Sequence, residues 1–379
     1  MLTGKTLKKN MTDIFFRVFL VIYSALCLIY LVTTSHHHDY HTYTLVWLNI
    51  FNEGKITTGD AGAYGPLFYF FYLPYAIKPF MPRVIFFVAM VLSVYHLHKN
   101  NTDLKKTASL LLFLVSPVVL YLSVKYGNND TFLAGLLLFS FLTYYDKNYL
   151  LSGFLLGLSV SFKFVPALII LPLVLSLDLK KALSFTASIL LTFITITVFA
   201  HFILDYNILG PITFGVERES KLFSIFRFLR GAYSFTGNLD SYNVYFLLLG
   251  NILLSIYGYL KRWDWPLFVF ILYAWTLASY KVLHVQFFIP FYLTALFLYF
   301  KDFIVGKPLI ILLVIHLVFV SLYQLGYDPY GNYWGTYSWV RDIVGLPMFV
   351  INILILVYAI IEENRNIQNK KRGLEYYSP

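Results

Sequence analysis

The chain has 379 residues, of which 59% are hydrophobic, 20% aromatic and only 13% charged, with a mean hydropathy of +0.69. A water-soluble domain cannot hide that much hydrocarbon, so the composition excludes an ordinary soluble protein and calls for a polytopic membrane protein. The formal net charge is +10, yet the basic residues gather at the ends of apolar runs rather than in one stripe; that excludes nucleic acid as an expected partner and points to orientation in a bilayer, with membrane lipids around it.

The apolar runs are long enough to cross or nearly cross a ~30 Å hydrocarbon layer as helices, so the expected fold is all-α, a polytopic transmembrane helical bundle of about 12 spans, between roughly 10 and 13. Lys5, Lys8 and Lys9 precede the first run, Ile14 to Val32, and place the N-terminus in the cytoplasm. That run lacks a small-residue cleavage site and is expected to be a signal anchor. It contains Cys27, the one cysteine of the chain, which leaves no intramolecular disulfide and no cysteine-based metal site.

Residues 35–66, SHHHDYHTYTLVWLNIFNEGKITTGDAGAYGP, then form the first extracytoplasmic loop. Asp39 is the first carboxylate beyond the first span. Leu45, Val46, Leu48 and Ile50 follow at the spacing of a helix lying in the interface, stopped by Gly54, so that Asp39 stands at the helix N-terminus. Pro66 opens a short apolar helix to Ile77, which Pro79 and Pro82 end, and the chain returns inward from Val84 to about Leu97.

Lys99, Lys105 and Lys106 mark a cytoplasmic loop, and Thr107 to Val124 leads out to the polar knot Lys125-Tyr126-Gly127-Asn128-Asn129-Asp130. A span from Thr131 to Tyr145 follows. The next run carries Gly153 and Gly157, a spacing that lets helices pack closely, and ends at Lys163 and Pro166, where two short helices meet at the outer face. Leu183 to Leu204 leads to the second large extracytoplasmic region, residues 205–240, with Glu217, Arg218, Glu219, Lys221, Arg227 and Arg230. Further spans lie near Val244–Leu260, Pro266–Tyr280, Val285–Phe300, Leu309–Leu325 and Ile343–Ile361. The lysines and arginines between them put both termini in the cytoplasm. No repeat divides residues 1–379, which read as one membrane domain.

Three groups of residues carry chemistry. Asp39, a lone carboxylate at the outer surface, suits a general base; it equally suits a helix cap, and Asp60 is the rival acid. His36, His38 and His41 beside Asp39 offer a divalent-metal set, but consecutive histidines fit one ion poorly, so neither metal nor other cofactor is expected. The outer cations Lys163, Arg218, Lys221, Arg227, Arg230 and Lys281, with His284, stand on the side where positive charge is disfavoured, and guanidinium forks match phosphate oxygens. The plain alternative for Arg218 and Lys221 is a solvated pairing with Glu217 and Glu219. The Gly127–Asp130 knot is either part of a site or a tight turn capped by Asp130.

Asp39-Tyr40 with Tyr43, Tyr64-Gly65-Pro66, Gly127-Asn128-Asn129-Asp130, Lys163-Phe164-Val165-Pro166, and Lys281 with His284-Val285-Gln286-Phe287 occur in an order that resembles the polytopic GT-C glycosyltransferases. Within them the likeness is to the polyprenyl-phosphate-mannose-dependent α-mannosyltransferases of mycobacterial phosphatidylinositol mannoside synthesis. It covers Asp39 to about Pro290, with Asn128-Asn129 where a Gly-Gln pair is more familiar. The resemblance implies a polyprenyl-phosphate sugar donor used on the outer face, Asp39 as base, donor-phosphate contacts from the outer cations, and substrate contacts from Tyr40, Tyr43, Tyr64, Asn128, Asn129, Asp130 and Gln286.

The expectation is therefore an inverting membrane hexosyltransferase, mannose being the first choice of sugar, acting on a lipid-linked or glycan hydroxyl. Its active site is extracytoplasmic, in the cell membrane of a prokaryote or the endoplasmic reticulum of a eukaryote. No phosphate-cradling glycine loop suggests a nucleotide sugar. The competing expectation is a transporter or flippase for a lipid-linked or small anionic substrate, which needs cations near the membrane but tends to show internal repeats.

Overall fold

A computed structural model describes residues 4–34, 38–56, 64–99, 101, 103–233, 239–327 and 338–371. In chain order the helices are α1 (Gly4–Thr33), α2 (His38–Glu53), α3 (Pro66–Tyr69), α4 (Tyr72–Ile77), α5 (Met81–His98), α6 (Leu104–Leu114) and α7 (Pro117–Val119), which continues as a π-helical turn, Leu120–Lys125. Next come α8 (Asp130–Tyr145), α9 (Tyr149–Phe162), a 3-10 turn (Val165–Ile169), α10 (Ile170–Leu175), α11 (Leu179–Leu204) and α12 (Gly210–Glu217). Strand β1 (Lys221–Leu222), α13 (Ile225–Ala232), α14 (Leu239–Lys261), α15 (Trp265–Ser279), strand β2 (Val282–Leu283), a 3-10 turn (Val285–Phe287), α16 (Phe288–Phe300), α17 (Lys307–Tyr327), α18 (Ser338–Ile343) and α19 (Gly345–Lys371) complete the chain. The helical expectation holds except for β1 and β2, which pair in parallel, Lys221 with Val282 and Leu222 with Leu283.

The span count is lower than expected. Among the described residues six helices are long and apolar enough to cross a bilayer, within α1, α5, α11, α14, α17 and α19, and a seventh is counted if α6 and the segment Pro117–Lys125 form one span bent by 43°. Ser116 caps the second half by accepting from the Val119 N–H, and Pro117, which has no N–H to continue the ladder, accounts for the break. The runs near 131–145, 149–162, 266–280 and 285–300 become α8, α9, α15 and α16, of 16, 14, 15 and 13 residues. At 1.5 Å per residue these reach about 20 to 24 Å, short of the ~30 Å layer. Apolar composition alone does not separate a lipid-facing span from a helix sheathed in protein: α15 and α16 are buried on nearly every side.

The chain divides into two compact units, residues 1–164 with 184–208, and residues 165–183 with 209–379. In the first, α5 packs on α8 and α8 on α9. A Cβ on Gly135 would come within 2.8 Å of the Ala89 backbone, which shows how closely α5 and α8 approach. Gly153 and Gly157 serve as their spacing suggests: added Cβ atoms would stand 2.6 Å from the Phe185 carbonyl oxygen and 2.8 Å from Thr192 Cβ, so both let α9 lie against α11. Trp47, Phe68, Phe71, Phe86, Phe132 and Phe162 fill the unit's upper core in edge-to-face and tilted contacts.

In the second unit α15 packs against α14, α16 and α19. His316 of α17 donates from Nε2 to the Asn352 amide oxygen at 3.1 Å, which leaves Nδ1 to accept from the Tyr292 hydroxyl at 2.7 Å, and so pins three helices together through buried polar groups. At the other end of α19, Glu362 accepts from the Val305 and Gly306 N–H groups at 3.2 and 2.8 Å, tying down the loop before α17.

Candidate functional site

In the first unit the sequence motifs converge. Helix α2 buries Tyr40, Tyr43, Trp47 and Ile50 on one face, while Leu45, Leu48 and Phe51 point away from the protein. The aromatic stripe, more than the leucines, therefore anchors it. The Tyr40 hydroxyl donates to the Pro79 carbonyl at 2.6 Å, and burial raises this phenol's pKa above its ordinary value. Trp47 Nε1 donates to the Phe68 carbonyl at 3.1 Å. Tyr64 stacks on Phe68 at 4.0 Å and meets the edge of Tyr43 at 5.6 Å. The Gly65 N–H donates to the Phe162 carbonyl at 3.1 Å, and a Cβ at Gly65 would come 2.3 Å from the Ser161 carbonyl oxygen, so only glycine brings the end of the first loop this close to the end of α9.

Asp39 is the second residue of α2 and so stands in its first turn. Its side chain and that of His38, together with His36 and Asp60, lie outside the described residues; His41 is exposed. Among the described residues no group of three His, Cys, Asp or Glu side chains is arranged to hold a metal ion.

The polar knot sits beside α2. Gly127 takes φ +58°, and a Cβ there would stand 2.8 Å from Arg83 Cβ and 3.3 Å from Tyr40 Cδ2. Asn128 accepts the Asp130 N–H at 2.9 Å in an Asx turn that starts α8. Asp130 is fully buried, and both carboxylate oxygens accept from Lys163 Nζ, at 2.9 and 2.8 Å. The knot is thus both a turn and one half of a buried ion pair, and Lys163 spends its charge on Asp130. Asn129 is buried, and among the described residues neither of its amide atoms has a hydrogen-bond partner.

Arg83, a residue the sequence reading passed over, completes this cluster. It occupies the first turn of α5, is 1% exposed, donates from Nη2 to the Thr34 carbonyl at 2.6 Å, and holds its guanidinium 5.5 Å from the centre of the Tyr40 ring. The signal available was an arginine directly before an apolar run, on the side that the lysine pattern would make extracytoplasmic.

In the second unit the described part of the region 205–240, residues 209–233 with 239 and 240, is a built structure. Arg218 ends α12 with its guanidinium 5.2 Å from the Phe214 ring. Arg230 pairs with Glu219 at 3.0 Å and approaches Asp240 at 3.7 Å, and Asp240 accepts the Ser220 N–H at 2.7 Å. Lys281 is buried and gives Nζ to the carbonyls of Val216 (2.7 Å) and Asp240 (3.1 Å). Desolvation pulls its pKa below the ordinary lysine value, with the Asp240 carboxylate opposing. Ser220, Lys221, Leu222 and Arg227 line a cavity of about 170 Å³. Of the cations named from sequence in this unit, Lys221 and Arg227 line this cavity, and Arg230 and Lys281 are held by the contacts just given. His284 and Gln286 are half-buried in the turn after β2.

No curated protein matches the chain. The crystal structure of ArnT from Cupriavidus metallidurans bound to undecaprenyl phosphate is similar over 93% of this chain and 78% of that one, with a TM-score of 0.49 and 12% identity, a likeness too remote to carry function. Residues 63–280 match the family profile for glycosyltransferase family 87. The match runs from the end of the first loop through the knot, Lys163 and the 205–240 region, stops one residue before Lys281 and leaves Asp39 outside. With more than half of its length in that match, this apolar, helical membrane protein belongs to glycosyltransferase family 87.

Proposed function

We propose that the protein transfers one hexose, mannose in the first instance, from a polyprenyl-phosphate donor to a hydroxyl of a lipid-linked or glycan acceptor on the extracytoplasmic side, with inversion. The acceptor oxygen attacks the anomeric carbon as the bond from that carbon to the phosphate oxygen breaks. The acceptor proton passes to the Asp39 carboxylate, and the polyprenyl phosphate leaves with the bonding electrons. A single displacement needs one base, whereas a retaining mechanism needs a second carboxylate as nucleophile. Fixed cations hold the charge that develops on the leaving phosphate. Both termini are cytoplasmic in this proposal, the short helices complete the crossing count, and no metal takes part.

The observation that carries the proposal is the buried polar cluster of the first unit in an otherwise apolar chain of a glycosyltransferase family. Arg83 lies against the Tyr40 ring of α2 and beside Gly127 of the knot, whose Asp130 is paired with Lys163 and whose Asn129 is buried. Groups so costly to bury are kept for function by default. The test is transfer of radiolabelled mannose by purified protein in proteoliposomes from polyprenyl-phosphate mannose, with a nucleotide-linked mannose as control. Glycosidic product from the lipid donor alone is expected. Movement of the lipid across the bilayer with no new glycosidic bond would favour the transporter reading instead.

A further inference from the structure

The start of α5 holds the chain on both sides of Asp39. Arg83, in the first turn of that helix and buried, donates from Nη2 to the Thr34 carbonyl at 2.6 Å. Thr34 is in turn tied to the last turn of α1, because its N–H and its hydroxyl reach the Tyr30 carbonyl at 3.0 and 2.7 Å. The same guanidinium lies 5.5 Å from the centre of the Tyr40 ring, and the Tyr40 hydroxyl donates to the carbonyl of Pro79, just before α5, at 2.6 Å. Residues 35–39, which end in Asp39, therefore run between two points fixed by one short stretch of chain. The knot closes over that stretch, since a Cβ on Gly127 would stand 2.8 Å from Arg83 Cβ and 3.3 Å from Tyr40 Cδ2.

Stability does not explain an arginine here. Among the described residues its Nε and Nη1 have no hydrogen-bond partner. A buried guanidinium held by a carbonyl and a ring face lacks a full negative charge beside it, and an apolar side chain of similar length generally serves stability as well or better. What an apolar side chain cannot do is donate to Thr34 and stack on Tyr40 at once. That combination needs a flat cation.

We infer that Arg83 is a positioning residue: it clamps the end of α1 to the start of α2, at a cost in stability, and so sets the placement of the segment that carries the base. That Asp39 is the base is the reading proposed above, on which this inference rests; the clamp itself rests on the contacts of Arg83. Transfer is sensitive to such placement, because a shift of ~1 Å in a reacting group costs ~100-fold in rate.

The test compares full-length wild type with Arg83→Met and Arg83→Lys by transfer from polyprenyl-phosphate mannose in proteoliposomes and by thermal unfolding. A third readout is the distance between spin labels on Thr33→Cys and Leu48→Cys in a Cys27→Ala background; both positions are exposed, one on α1 and one on α2. Arg83→Met should lower kcat ~10- to 100-fold and leave KM for the lipid donor within ~3-fold, the pattern of lost placement rather than lost binding. It should unfold no earlier than the wild type, because a buried charge is gone, and its label distances should spread. Arg83→Lys, which keeps the charge and a donor but not the flat face, should fall between the two in kcat and in spread. A raised KM with kcat kept would make Arg83 a substrate contact, and a kcat lost only in step with a lower unfolding temperature would make it merely structural. Either result overturns the inference, as does an unchanged distance distribution in Arg83→Met. Distances that spread in a protein transferring no sugar would uphold the clamp and overturn the transferase reading; wild-type kcat in folded Arg83→Met, with Asp39→Asn inactive, would uphold that reading and overturn the clamp.

Discussion

Removing the Asp130–Lys163 pair whole should cost far less than the sum of removing each partner alone. Asp130 has no solvent exposure and Lys163 only 13%, and the ammonium reaches both carboxylate oxygens at 2.8 to 2.9 Å. Lys163→Met leaves a buried carboxylate with no counter-charge, a change worth ~3 to 5 kcal/mol where one partner of a buried pair is deleted. Asp130→Asn strands the ammonium, which the partial exposure of Lys163 relieves somewhat, so its cost should be smaller, ~2 to 3 kcal/mol on the same scale. In the double variant no charge is left unpaired, and its loss should be about that of the milder single change. The coupling energy from the cycle should then exceed ~2 kcal/mol, well above the ~0.5 kcal/mol expected of independent sites. Reversible unfolding in mixed micelles by titrated sodium dodecyl sulfate, followed by far-ultraviolet circular dichroism, gives the four free energies. Additive single losses, or single losses below ~1 kcal/mol as for exposed pairs, would refute the assignment of Asp130 and Lys163 as a buried pair that holds the knot in place.

Two further outcomes follow from the same picture. Chelator treatment of purified protein should leave transfer unchanged, and replacing His36 and His38 by Asn should cost less than ~3-fold, since the histidines are assigned neither a metal nor a proton; activity lost on chelation and restored by one divalent ion would make the first loop a metal site. In a Cys27→Ala background, Glu217→Cys, at an exposed position at the end of α12, should react with a membrane-impermeant thiol reagent from outside, whereas Gln368→Cys on the exposed side of α19 should react only in opened vesicles; the opposite pattern would reverse the orientation assigned from the lysines.

The class of the fold and several contacts of the candidate site were legible from particular residues. Gly153 and Gly157 announced the close contact of α9 with α11, Gly54 ended α2 at φ +72°, and Tyr64-Gly65-Pro66 and the Gly127–Asp130 knot turned out to be neighbours of Lys163 and Arg83 within one unit. What failed to show was anything set by partners distant in sequence. Lys163 reads as a free outer cation until Asp130, 33 residues earlier, is seen beneath it, and Lys281 reads as a phosphate ligand until the carbonyls of Val216 and Asp240 are found around it. Arg83, which the sequence did not single out, stands out once its contacts with Thr34 and Tyr40 are seen. The span count depends on distant partners too: periodicity gives the apolar run, but whether α15 faces lipid or lies sheathed by α14, α16 and α19 depends on contacts the local sequence does not encode.

The central claim, one carboxylate acting as base for sugar transfer from a lipid phosphate, is tested most directly by comparing wild-type protein with Asp39→Asn and Asp60→Asn in the proteoliposome transfer assay, with folding checked by thermal unfolding. The account predicts turnover by the wild type and by Asp60→Asn, and a fall of at least ~100-fold for a folded Asp39→Asn, the lower end of general-base effects. Near-wild-type turnover in Asp39→Asn, with Asp60→Asn inactive, would contradict it and move the base to Asp60.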